Sequence, residues 1–537
     1  MDPEVPDGTA IAMNGHLIVA VGSDAEIARY VGPQTEVFEL EGRFVMPGFI
    51  EGHGHFLSLG RARQILVLEG AERWRDIVSQ VAIAADSAEP GEWIFGRGWH
   101  QDKWLSTPEG AIDGVPLNAS LNAVSPNNPV LLGHASGHAA FANDAALAAA
   151  GIDTDTPDPA GGTIVRSADG TATGLLRETA QRLVASAGAR WESRRTPAEQ
   201  QALFEAQVQL AGAEALQHGV TSFHDAGASF AEIDALRTLA ATGELPIRLY
   251  VMVRGESNDA MAARLSDYYQ PYQDNSFLTV RSIKRQIDGA LGAHGAWLLE
   301  PYVDLPESAG LVLEPVADIE RTAQIAVAAG FQVNTHAIGD RANRETLDLY
   351  ERSWQAAEAD GKALRWRIEH AQHIDPEDVP RFGELGVIAA IQGVHCASDG
   401  PWIPSRLGAA RTARTSYPWR DLIDSGALLA NGTDVPVEPI DAIASFAASV
   451  TRIMNNGEAF YPEQAMSRQE ALASYTINNA FAAFEEDVKG SLTPGKLADI
   501  VVLSNNLLTV SDSQLPKTQV EMTFVGGQLR YARLPEE

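Results

Sequence analysis

A single cysteine, Cys396, stands among 537 residues, so no disulfide can form within the chain and its stability does not rest on an oxidising compartment. Cationic residues are scarce: Lys and Arg total 40 against 71 Asp and Glu, a formal net charge of −31. Phosphate recognition needs clustered Lys and Arg, and none is seen, so no nucleic-acid partner is expected. An anionic membrane surface is disfavoured on the same ground, and the charge reads as a solubility feature. No apolar run reaches the roughly 18 residues of a membrane span. Met1-Asp2-Pro3-Glu4 offers no basic segment followed by an apolar one. No signal peptide is therefore read and a cytoplasmic location is expected, although a trimmed secreted or periplasmic form would look the same. Short internal repeats are absent too.

What is present is enough apolar sequence, 45%, for a large domain with an accessory one. The second half alternates short apolar runs with amphipathic stretches, the pattern of βα units on a parallel sheet. Strands are expected at 247–253, 282–284, 331–336, 366–370, 387–392 and 428–434, preceded by 219–225 and by the segment carrying His53 and His55. Helices are expected between them, such as 319–329 and 376–385, the second capped by Asp375 with Pro376 at its first position. Gaps of 34 residues (His336 to His370) and 39 (His395 to Asp434) each fit one βα unit. Eight strands predict an α/β fold, a (β/α)8 TIM-like barrel over 47–489, whose site would lie at the C-terminal strand ends. Residues from about 60 to 200 are too many for one crossover and predict an inserted subdomain covering the barrel mouth. Short β signals at both ends, 1–46 and 490–537, predict a small β-sandwich domain built from both termini.

The chemistry begins at Phe49-Ile50-Glu51-Gly52-His53-Gly54-His55. Residues two apart on a strand share a face, so His53 and His55 aim two imidazoles at one point, although two nearby histidines also arise by chance. His336, His370 and Asp434 are further metal-ligand types at strand ends, each alone compatible with a core role. A divalent metal there lowers the pKa of water to about 7, and Asp434 is placed to carry the proton to the leaving group. Lys284 shares a strand face with Gln286 and Asp288. Unpaired, it would be neutral and could form a carbamate bridging two metals; the alternative is an ion pair with an acid such as Asp288. His373 competes with His370. Arg97, Trp99, His100, Lys103 and His138 in the insertion, His395 and Asp399 after the seventh strand, are substrate-contact candidates that could equally order loops. Trp99, Trp104, Trp402 and Tyr417 would suit an aryl group, though most such side chains simply pack.

Val45 to His55 resembles the opening signature of the amidohydrolase superfamily. The similarity sharpens toward its amidohydrolase 3 branch, the group of N-substituted formamide deformylase, on Gly96-Arg97-Gly98-Trp99, Gly137-His138-Ala139-Ala140, Gly174-Leu175-Leu176-Arg177-Glu178, Ile283-Lys284 with Asp288-Gly289-Ala290-Leu291-Gly292, His336-Ala337-Ile338-Gly339-Asp340, Ile368-Glu369-His370-Ala371-Gln372, Gly432 to Pro439, and Gly490-Ser491-Leu492 with Pro494 to Asp499. The resemblance implies a metal-dependent hydrolase, with two Zn2+ (Mn2+ or another ion as alternatives) per chain. His53, His55 and Asp434 would hold one metal, His336 and His370 the second, and Lys284, as its carbamate, would bridge them. It places His370 rather than His373 at the ligand position. Mononuclear deaminases of the superfamily carry an acid where this chain has Gly339, which disfavours deamination. Two departures are notable: relatives begin with a strand before the segment matching Asp2-Pro3-Glu4, and His294 stands where the branch often has Arg, which bears on substrate recognition.

The expected activity is hydrolysis of a non-peptide C–N bond in an N-substituted amide or formamide by metal-activated hydroxide. The alternatives are lactone, carbamate or urea hydrolysis on the same site, a mononuclear enzyme with Lys284 free, or a non-catalytic sensor that keeps the barrel. The partner expected is a small-molecule substrate, and a homodimer is left open.

Overall fold

The computed structural model describes residues 7–101, 104–112, 114–134, 139–159 and 162–534. Asp2-Pro3-Glu4, Lys103 and His138 lie outside them. The chain divides into two compact units, one running to Phe56 and resuming at Gly212, the other Leu57–Ala211.

The first unit holds an eight-stranded parallel sheet: β1 (Phe49–Gly54), β2 (Val220–Ala228), β3 (Arg248–Val253), β4 (Leu278–Gln286), β5 (Gln332–Ala337), β6 (Arg367–His370), β7 (Ile388–Gln392) and β8 (Leu429–Gly432). Neighbours pair in that order from β1 to β8, so the strands read from the sequence form one α/β barrel sheet with helices between them. β3 and β5 are buried throughout, as a sheet covered on both faces demands. Connecting helices carry their own stop signals: Phe230–Thr242 opens with a Ser229/Glu232 capping box and ends at left-handed Gly243, and Val316–Ala329 ends at left-handed Gly330. The sixth-strand helix runs Val379–Leu385, not from Pro376. Asp375 Oδ1 accepts the Glu377 N–H in the turn before it, so this acid closes a turn rather than capping the helix.

The seam between β1 and β8 is closed by other means than a ladder. The Asp434 N–H donates to His53 O and the His55 N–H to Val435 O, both at 2.7 Å. Glu51, wholly buried, accepts from the Thr433 N–H at 2.6 Å and the Thr433 hydroxyl at 3.0 Å. Burial pushes the Glu51 carboxyl up to about 8, against those hydrogen bonds.

Beside the barrel, within the same unit, Phe44–Pro47 joins Ile500–Leu503, Val520–Val525 and Gln528–Ala532 in a four-stranded antiparallel sheet, and Ala10–Asn14 pairs with Leu17–Gly22 in a hairpin. Ile18, Ala498, Ile500, Val502 and Phe524 form their shared core.

The second unit carries a mixed six-stranded sheet in the order Leu66–Val67, Ile94–Trp99, Val130–His134, Ala139–Ala142, Ala172–Glu178, Gly162–Arg166. Its first two pairings are parallel and the rest antiparallel. Trp74, Trp99, Trp104 and Phe141 pack on one another at its centre. No helix among the described residues is long and apolar enough to cross a membrane.

Candidate metal centre

The six expected ligands come from five strand ends and converge. His53, His370 and Asp434 offer ligand atoms within 4.8 Å of one another, all buried. His55 Nε2 lies 3.3 Å from Asp434 Oδ1, and His53 Nε2 lies 3.5 Å from the same oxygen. The Lys284 ammonium nitrogen is 3.4 Å from His53 Nε2. His336 packs edge-on to His370 with ring centroids 4.4 Å apart, and its Nε2 faces Asp288 Oδ1 at 3.5 Å without a hydrogen bond. The compact trio cuts across the two sets that the resemblance implied, taking His370 together with His53 and Asp434.

Local backbone explains how each reaches the site. His53 follows the inward face set by Glu51. Arg367 and Glu369 also point inward, and strict alternation would send His370 to the far side. Instead His370 and Ala371 adopt φ 78° and 43°, a left-handed step uncommon for such residues, which breaks the pleat and brings His370 to the same side. Asp434 likewise has φ 60°, just past the end of β8.

A second layer fixes the rings. Glu369 Oε2 pairs with His53 Nδ1, leaving Nε2 toward the other ligands. Arg367 holds Glu369 at 2.7 Å and donates to Gly52 O, so the carboxylate is locked on both sides. Gln392 Oε1 lies 2.7 Å from His370 Nδ1. Carboxylate and amide partners of this kind set tautomer and orientation in metal sites. Glu369, Arg367 and Gln392 were not singled out from the sequence. The available signal was pleat parity: Glu369 lies on the inner face of a strand ending in a candidate ligand.

Burial dominates the electrostatics. It pushes the His53 imidazole down to about 4, helped by Lys284 and opposed by Glu369. It holds His336 and His370 well below the usual histidine range, again with neighbouring cationic groups. These rings are neutral near pH 7. Asp434 is the opposite case: burial pushes its carboxyl up, but the imidazoles around it, His55 first, outweigh that and hold it well below the carboxylate range. Lys284 is driven down to about 8 by burial, against the pull of Glu369. No carboxylate among the described residues lies within ion-pair distance of it. Asp288, its alternative partner, spends both oxygens on backbone N–H groups, Ile338 at 3.0 Å, Gly339 at 2.8 Å and Trp297 at 2.9 Å.

Neutral imidazoles facing one charged carboxylate are the donor set a divalent metal requires. Asp434 Oδ1 and His336 Nε2 are buried with no hydrogen-bond partner, a costly state that a cation would relieve. The residues fit a metal.

Around this centre His395, buried at the start of the helix His395–Asp399, stacks parallel to His370 at 6.4 Å, and its Nε2 has no partner. The Tyr417 hydroxyl donates to Asp399 at 2.9 Å, and Gln372 bridges both. His294 is tied into an outer network with Asp304 and Arg406. His373 is buried away from the ligand trio against Ser416 at 2.9 Å. Within the insertion, Trp99 is 1% exposed and donates to Leu132 O at 2.8 Å, and Trp104 packs against it. Arg97 is half-buried on the strand Ile94–Trp99, and the His100 ring rests on His134 at 4.5 Å.

The chain is similar to known proteins along nearly its whole length. The chain is 35% identical over 99% of its length to Protein LONG AFTER FAR-RED 3 of Arabidopsis thaliana, covering 89% of that protein. It is 26% identical over 98% of its length to N-substituted formamide deformylase of Arthrobacter pascens, covering 95% of it. The crystal structure of an uncharacterized metal-dependent hydrolase from Pyrococcus horikoshii superposes with a TM-score of 0.74 at 26% identity, over 94% of this chain and 95% of that one. Residues 36–531 match the amidohydrolase family, and the chain belongs to that family of hydrolases.

Proposed function

We propose that the protein hydrolyses a non-peptide C–N bond in an N-substituted amide or formamide, using two divalent metals, zinc first among them. The observation that carries this reading is the buried convergence of neutral His53 and His370 with ionised Asp434. Metal held there would polarise the scissile carbonyl and lower the pKa of water to about 7. Asp434 accepts the proton of the attacking water and delivers it to the departing nitrogen. Glu369 and Gln392 keep His53 and His370 turned with Nε2 inward, and Arg367 keeps Glu369 from rotating. Lys284, buried without an acidic partner, would give up its ammonium proton and bond through Nζ to the carbon of CO2 with release of a second proton, and the resulting carbamate would join His53, His55, His336, His370 and Asp434 in holding the metals.

Similarity to the formamide deformylase along nearly the whole chain supports the amide assignment. So does Gly339: a Cβ there would lie 2.0 Å from Trp297 O, so an acid of the deaminase type has no room. Lactones, carbamates and ureas present the same polarised carbonyl and are secondary substrates on this reading.

The test combines a panel of formamides, anilides, carbamates and lactones with metal analysis of the same sample in Zn2+ or Mn2+. Turnover of a formamide or amide is expected, with two metals per chain, reduced in Lys284→Ala and partly restored by a short carboxylic acid. A panel without turnover ends the hydrolase reading, and one metal per chain unchanged by that substitution removes the bridge.

A further inference from the structure

Arg254 stands out in a chain so rich in acids, because its guanidinium sits at the barrel mouth with no acidic partner among the described residues. The residue follows β3 directly, and the β3–β4 register, Met252 with Ser282 and Val253 with Ile283, carries Arg254 alongside Lys284. Its inward direction follows from alternation, since Tyr250 on the same face points its ring at His224 inside the barrel. The stem is seated on the end of β2: a Cβ added at Gly227 would lie 2.4 Å from Arg254 Cβ and Cδ. The Arg254 N–H donates to Ala228 O at 2.9 Å.

From this seat the guanidinium rises one pleat above Lys284 and donates through Nη2 to Gln286 Oε1 at 3.1 Å. Gln286 pairs in register with His336. The positive charge is thus delivered beside the ligand cluster, and it is felt there, lowering both Lys284 and His336. Neighbouring arginines are neutralised: Arg248 by Asp499 at 2.7 Å, Arg285 by Glu314 at 3.1 Å, Arg367 by Glu369 at 2.7 Å. For Arg254 no carboxylate among the described residues lies within ion-pair distance. One contact to a neutral amide oxygen takes one of the two Nη2 hydrogens, and the other still forms a two-donor fork with Nη1 or Nε, the geometry that grips a carboxylate.

We propose that Arg254 is a substrate-recognition residue that binds a carboxylate carried by the substrate, so that the preferred substrates are anionic amides. This rests on the amide-hydrolase reading for the reaction but not for the binding. Gln286 steadies the fork, and Gly227 makes room for its stem.

The test compares two probes with the same scissile group, 4-(formamidomethyl)benzoate and N-benzylformamide, on the metal-loaded protein and on Arg254→Gln and Arg254→Lys, with metal content and circular dichroism checked in each. In the wild type, removing the carboxylate is expected to raise KM at least tenfold with kcat within threefold. In R254Q the two probes should differ less than twofold, through loss of affinity for the acid alone, and R254K should keep part of the preference. If neither probe is turned over, the hydrolysis assignment fails, and dissociation constants of the same pair by calorimetry still decide Arg254 by the same ratios. Equal affinity of the wild type for both probes, or a preference that persists in R254Q, overturns the proposal.

Discussion

The barrel and the insertion handle buried polar atoms in opposite ways. In the insertion, Asn143 is fully buried and every arm of its amide is used: it accepts from the Val130 N–H at 2.9 Å and the Ala146 N–H at 3.0 Å, and donates to Ser125 O at 3.0 Å and Asn128 O at 2.8 Å. Asn128 closes back on Glu89 O and Glu92 O. Among the described residues of that unit, Trp104 Nε1 is the one buried side-chain polar atom without a partner. The barrel interior instead leaves His224 Nε2, Asp225 Oδ2, Asn334 Oδ1, His336 Nε2, His395 Nε2 and Asp434 Oδ1 unmet. Unmet buried groups cost stability, and two of these, His336 Nε2 and Asp434 Oδ1, belong to the expected ligands. A region that satisfies itself is built for shape, and one that does not is built for something it binds.

That contrast breaks most sharply at Asp434. Asp434→Asn keeps the volume and removes the charge that orders the surrounding imidazoles. Hydrolysis should fall by about 10²–10⁴-fold, the usual worth of a positioned proton carrier, with metal content reduced as well. Activity within threefold of wild type would remove Asp434 from the reaction. The next largest effect is at Glu369, which touches no expected substrate. Glu369→Gln should weaken metal affinity about 10–100-fold, as loss of a carboxylate behind a ligating histidine does, read by chelator competition. Arg367→Met should reproduce part of the loss by freeing Glu369. Unchanged affinity in both would reduce this pair to a structural ion pair.

Much of the barrel site was legible because its signals are local. His53-Gly54-His55 is a two-residue spacing on a strand, and the gaps between later candidates are single βα units. What stayed hidden depends on geometry that spacing does not carry. His370 turns inward only because of its left-handed step, so parity alone could not have admitted both it and Glu369. Arg254 is defined by the absence of an acid around it in three dimensions, although Glu256 lies two residues away in sequence. The helix start misplaced at Pro376 shows the same limit: Asp375 and Asp378 are equally good caps by type, and the turn between them decides. In the insertion, the Gly-Arg-Gly-Trp motif drew attention to Trp99, whose indole is committed to Leu132 O and a tryptophan cluster.

The self-satisfied region makes its own prediction. Asn143→Ala takes from the Val130 N–H and Asn128 O of the insertion their hydrogen bonds and uncaps the helix Asp144–Ala149. A loss of about 3 kcal/mol is expected in the unfolding transition of that unit, measured by urea denaturation, with metal affinity unchanged. A loss of metal affinity in step with stability would show that the two kinds of buried polar group are not separable.

The smallest effect separates the same two regions by pH. The barrel unit caps its helix Arg468–Ser474 with a charge rather than an amide: Glu470 accepts from the Ser467 N–H at 2.7 Å and is gripped by both terminal nitrogens of Arg420. The Arg420 hydrogen bond, more than the serine contacts, pulls the Glu470 carboxyl down to about 2 from an ordinary 4.5. A carboxyl that is more acidic in the folded chain adds stability above the unfolded value of 4.5 and loses it as pH falls toward 2. Glu470 is partly exposed, so solvent and salt screen the pair, and Gln at this position still completes the capping box. Glu470→Gln should therefore cost only about 0.5–1 kcal/mol at pH 6, with the gap to wild type narrowed at pH 3, while the gap for Asn143→Ala stays constant over that range. Urea midpoints at the two pH values measure both. A gap for Glu470→Gln that does not narrow on acidification would mean that this cap, like the amide one, acts through shape rather than charge.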